Sequence, residues 1–95
     1  MISLTSAQRR ALAARGNRIK ASVTIADTLS DSVVAHVRKA FGKRDLIKVR
    51  IATEDREVFA QTAAELAERI PCVLVQRIGR IALLYRPIEN ADEDS

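Results

Sequence analysis

Aromatic side chains are scarce in this sequence: Phe41, Phe59 and Tyr85 are the whole set, and tryptophan is absent. The core must therefore be aliphatic. No aromatic lies among the N-terminal cations, which argues against base stacking of the RNA-recognition-motif kind there. Cysteine occurs once, at Cys72, so no internal disulfide can form. That fits a reducing compartment, and a cytoplasmic location is expected. No run of about 18 apolar residues exists, so no membrane span is expected. Nor does a long apolar stretch follow Met1-Ile2-Ser3-Leu4, as a signal peptide would require. His36 is the only histidine, and with Cys72 it has no metal-ligand spacing. There is no Ser/His/Asp constellation, P-loop or dinucleotide fingerprint. Neither a cofactor nor an enzymatic activity is expected.

What is present is charge, unevenly placed. The 95 residues suit one domain and carry a net +4. Residues 1–50 hold eleven Lys/Arg against three Asp/Glu, a surplus of eight cations. Residues 51–95 hold five Arg against nine acids, a surplus of four anions. The basic half is a candidate footprint for a polyanion. The acidic stretch 89–95 has no large apolar residue to anchor it, and is expected to form a disordered tail after a folded domain spanning 1–88.

The central stretch is Asp45 to Arg56. Strict alternation puts Ile47, Val49 and Ile51 on one face of a strand, with Leu46, Lys48 and Arg50 on the other. A helix begins directly after it, at Thr53 or Glu54, with Phe59, Ala63, Leu66 and Ile70 along its apolar stripe and Pro71 as its stop. Upstream, Thr5 and Gln8 have capping-box spacing for a first helix, with Ala7, Ala11, Leu12 and Ala14 as its small apolar contacts and Gly16-Asn17 as its end. Ala21 to Ile25 reads as a strand. Ser30 caps a second helix whose core side is Leu29, Val33, Val37, Ala40 and Phe41. Downstream, Val73–Ile78 and Ile81–Tyr85 flank Gly79-Arg80, the signature of a two-residue type II′ hairpin. The order αβαβαββ calls for a single α/β layered domain.

Several residues could contact phosphate. Arg9, Arg10, Arg15, Arg18 and Lys20 place five cations in twelve positions with no acid among them, although solvated helix faces also look like this. Arg38, Lys39, Lys43 and Arg44 form a second group. Lys48 and Arg50 could make a cationic sheet surface, and Arg80 occupies a hairpin tip. Tyr85 reads as a sheet-packing residue, His36 as a surface residue and Cys72 as a small core residue. Glu54, Asp55 and Glu57 read as carboxylates favouring a helix start rather than as acid–base catalysts.

The run Leu46-Ile47-Lys48-Val49-Arg50-Ile51-Ala52-Thr53-Glu54-Asp55-Arg56-Glu57 resembles the signature of the CRM domain, in particular its bacterial YhbY-type members. Ile78 to Pro87 is similar to that family's closing hairpin, and the resemblance covers residues 3–87. It implies a four-stranded mixed sheet packed by helices, similar to the C-terminal domain of translation initiation factor 3. It also implies RNA binding, with bacterial members associating with precursors of the large ribosomal subunit. One departure stands out. Where the family carries a Gly-x-x-Gly loop after the first strand, this chain reads Ile25-Ala26-Asp27-Thr28. Side chains at Ile25 and Thr28 are expected to obstruct backbone approach to phosphate, and Asp27 to repel it. The expected grip is therefore the surrounding Arg and Lys. The leading reading is a monomeric, non-catalytic protein that binds ribosomal RNA or a pre-ribosomal particle, with ribosomal proteins as possible further contacts. The alternative is a protein-interaction module of the assembly machinery in which RNA binding has weakened.

Overall fold

The computed structural model describes residues 4–87. The acidic tail expected over 89–95 lies outside them. Seven elements follow in order: α1 (Ser6–Gly16), β1 (Ala21–Ile25), α2 (Asp31–Phe41), β2 (Leu46–Ile51), α3 (Arg56–Arg69), β3 (Val73–Ile78) and β4 (Ile81–Tyr85). The strands form one mixed sheet in the order β1-β2-β4-β3. β1 runs parallel to β2, while β4 is antiparallel to both β2 and β3.

Alternation along β2 decides the layering. Ile47, Val49 and Ile51 are fully buried, and they join Val34, Val37 and Phe41 of α2 and Phe59, Ala63 and Leu66 of α3 in the larger core. Leu46 points to the opposite face, where it meets Leu12 of α1, Val75 and Leu83 in a smaller core. Two helices thus cover one side of the sheet, and α1 covers part of the other. Cys72 is a buried core residue, as its apolar neighbours suggest. Tyr85 packs against the smaller core.

The caps follow from side-chain chemistry. Thr5 and Gln8 form the reciprocal capping box, and the Ser30 hydroxyl accepts from the Val33 amide. The start of α3 differs from expectation. Neither Thr53 nor Glu54 caps it; the Asp55 carboxylate accepts from the Glu57 and Val58 amides, so the helix begins at Arg56. One oxygen, Oδ1, takes both amides, at 2.9 and 3.2 Å, while the Thr53 hydroxyl accepts from the Asp55 amide at 3.2 Å instead of reaching the helix. At the other end, Ile70 caps the helix just before Pro71.

Around α1 the expectation needs a larger correction. Ala7, Ala11 and Ala14 are exposed, and only Leu12 and Gly16 of this helix are buried. Alanine carries too little surface to fix which way a helix faces, so the single leucine sets the orientation. In α2, Val34 is buried where only its neighbours were expected to be, while Leu29, Val33 and Ala40 are half-buried. Gly79 takes a φ of +60°, which a side-chain-free residue accepts at the first turn position of the β3–β4 hairpin.

Candidate nucleic-acid interface

The βαβ topology gives the sheet two unlike ends. Because β1 and β2 are parallel, α2 must return between them, so its last turn lies where both strands begin. At this near end two grooves meet. One, of about 510 Å³, is lined by Ser22 and Val23 of β1, His36, Lys39 and Ala40 of α2, and the Phe41–Arg44 segment. The second, of about 380 Å³, is lined by Arg15, Ile19, Lys20, Arg44, Asp45 and Leu46. Arg44 belongs to both, so a continuous basic band runs from Lys39 and Lys43 through Arg44 to Lys20 and Arg15.

Within this band, Lys20, Lys39, Lys43 and Arg44 are exposed and have no carboxylate within 4.0 Å among the described residues. Arg18 and Arg10 are likewise exposed and without such a partner. Arg15 is different. Its guanidinium donates two hydrogen bonds to Asp45, at 2.6 and 3.2 Å. That hydrogen bonding, with the attraction of opposite charges, holds the Asp45 carboxyl below the usual carboxylate range and raises Arg15 above its own. Arg15 stays half-exposed, but its charge is balanced locally.

Other members of the expected set have structural work. Arg9 donates to the carbonyls of Leu74 and Val75 at 3.0 and 2.7 Å, where the β3 register shifts. Its guanidinium thereby ties α1 to an edge strand. Arg38 donates to the Arg69 carbonyl at the end of α3, at 2.7 Å. Arg80, at the hairpin tip, lies 3.7 Å from Glu54 and stands at the opposite, far end of the sheet. Lys48 and Arg50 do share one sheet face, as their alternation predicts, and α1 leaves that part of the face open. There the register sets Thr24, Arg50, Ile81 and Ile78 in one row, with Ile78 the exposed large hydrophobic among the described residues.

The Ile25-Ala26-Asp27-Thr28 loop is at the far end too, roughly 15 Å from the start of the five-residue β1. One expectation fails here. Ile25 does not obstruct the loop surface, because its side chain is 5% exposed and belongs to the larger core. Its carbonyl accepts from the Ala52 amide, and the Asp27 carbonyl accepts from Thr62 at 3.4 Å. Asp27, Glu54 and Asp55 are exposed at this end, where Arg80 faces Glu54.

Sequence reasoning missed Ser22 and His36 as groove lining, and it missed Arg86, whose guanidinium stacks 4.9 Å over the Phe41 ring. The βαβ rule could have found the first two, since the start of one strand and the end of its crossover helix always lie together. No group of three metal-ligating side chains occurs among the described residues, and no helix there is long and apolar enough to cross a membrane.

Comparison with known proteins sets this geometry in context. The CRS1 / YhbY (CRM) domain model matches residues 4–86. The chain is 31% identical over 86 residues to a Pseudomonas aeruginosa protein named "Probable RNA-binding protein", covering 90% of this chain and 83% of that one. It is 30% identical over 92 residues to an "RNA-binding protein" of Haemophilus influenzae, covering 96% and 93%. Its fold is similar to the solution structure of a hypothetical protein from Staphylococcus aureus, with a TM-score of 0.81, 24% identity and 95% of each chain covered.

Proposed function

Because this chain belongs to the CRS1/YhbY (CRM) domain family, we propose that it is a non-catalytic RNA-binding protein that grips phosphate through the near-end basic band. The observation that carries this reading is the meeting of two grooves at Arg44, with Lys20, Lys39 and Lys43 beside it and no carboxylate partner for any of the four among the described residues. Two relatives named as RNA-binding support it. Cations of this kind position a phosphate backbone without reading bases, so specificity comes from RNA shape. If Arg18 and these four each neutralise one phosphate, log K falls against log salt with a slope of about −3.5 to −4.5. Fluorescence anisotropy on a structured RNA across a salt series checks this, and an affinity indifferent to salt overturns it.

The finer reading is that the RNA is ribosomal, met in a precursor of the large subunit. It rests on the family resemblance. Crosslinking in cells followed by sequencing of the attached RNA is expected to enrich precursor large-subunit RNA; reads spread evenly over cellular RNA would sink it. A protein-docking role is favoured by one feature, the open row of Arg50, Ile81 and Ile78. Partner recovery that survives nuclease treatment supports that second role.

A further inference from the structure

We propose that the acidic segment 89–95 of this chain docks in the near-end groove and competes there with RNA phosphate; the competition rests on the RNA-binding reading above. Three observations converge on this occupant. First, the groove lined by Arg15, Lys20, Arg44 and Asp45 holds one acid, and that acid is already bonded to Arg15. Lys20 and Arg44 are left facing it without a carboxylate among the described residues.

Second, the chain leaves the described structure at the rim of this same groove. Tyr85 pairs in register with Leu46, and the Arg86 amide donates to the Asp45 carbonyl at 2.8 Å. Third, the residues that follow are of the complementary sign. Glu89, Asp92, Glu93 and Asp94 lie within eight residues of Pro87, and no Lys or Arg is among them. Eight residues span at most about 28 Å, so the tether reaches the groove but holds its acids close to it. An anionic segment tied this closely has a high effective concentration at a cationic groove. The hairpin tip at Arg80 is at the other end of the sheet, and Arg80 already faces Glu54.

The test uses the full chain with the segment made neutral: Glu89→Gln, Asp92→Asn, Glu93→Gln and Asp94→Asn together. Without RNA, backbone amide shifts are compared between this variant and the parent. Docking predicts changes at Arg15, Lys20, Arg44 and Asp45 and none at Arg80; unchanged groove amides overturn it, whatever RNA does. With a short RNA hairpin as probe, the neutral variant binds about threefold to tenfold more tightly at low salt, and the gain vanishes at high salt. In a Lys20→Gln/Arg44→Gln background the gain disappears. Groove shifts with RNA affinity unaltered overturn the competition. Groove shifts with no RNA affinity in either chain support docking and overturn the RNA reading instead.

Discussion

Three single residues show how local chemistry constrains this chain. A Cβ added to Gly16 would lie 2.6 Å from the Leu83 Cδ2 atom, with Leu83 itself fully buried. The glycine is there for close helix–sheet approach, not for an unusual backbone angle. Gly16→Ala is therefore expected to lower stability by about 1–3 kcal/mol in urea unfolding, and a neutral effect would show that α1 can lift away freely. Burial pushes the Cys72 thiol up to about 12. It stays a neutral thiol at pH 8–9, so iodoacetamide should label native protein far more slowly than urea-unfolded protein. The Asp45 carboxyl has the opposite shift, lowered first by its hydrogen bonds from Arg15. A lowered carboxyl stabilises the fold above its unfolded pKa, about 3.9, and that gain is lost as pH falls through the folded value. Asp45→Asn should thus cost under about 1 kcal/mol at pH 7, with the gap to the parent closing as pH falls through the lowered carboxyl's folded value. A gap independent of pH would mean that the pair contributes nothing.

At the level of elements, legibility followed side-chain size. The β2 strand was readable because large β-branched residues alternate over six positions, and every one of Ile47, Val49 and Ile51 is fully buried. The α1 helix was readable as a helix, through Thr5 and Gln8, but not in its orientation, because its alanines discriminate weakly between core and solvent. The α3 start differs from the expected one by two or three residues, since Thr53 and Asp55 are both capable caps and only tertiary placement selects Asp55. What no local pattern could reveal was that Arg9 holds the irregular part of β3 from 65 and 66 residues away. Its two charge-assisted bonds to carbonyls join an edge strand to the helix that packs on that face. Arg9→Ala is expected to cost about 1–2 kcal/mol and to speed amide exchange at Val75 and Gln76. Both bonds leave one nitrogen, Nη1, so Arg9→Lys, which keeps the charge and several donors on a single nitrogen, should restore part of this. If instead Arg9→Ala leaves exchange unchanged and only weakens RNA binding, the residue belongs to the interface and not to the scaffold.

Across the whole molecule, the charge asymmetry of the sequence becomes a spatial one only in part. The basic half of the chain supplies the near-end band because β1 starts, and α2 ends, at one end of a parallel pair. That was readable from the αβαβαββ order. Which cations stay free was not, because pairing depends on distant segments meeting: Asp45 takes Arg15, the Arg69 carbonyl takes Arg38, and Glu54 takes Arg80. The glycine-free loop and the basic band also turn out to occupy opposite ends of β1, so they cannot form a single phosphate site. This separation makes a sharp comparison possible. Replacing Lys20, Lys43 and Arg44 together by Gln should weaken RNA binding and flatten its salt slope by about 2–3, since each phosphate left without its cation removes about 0.7–0.9. Arg80→Gln, at the far end and already facing an acid, should leave the slope where it was. If both changes flatten the slope equally, the protein meets RNA with its entire surface, and the near-end band has no special part in the grip.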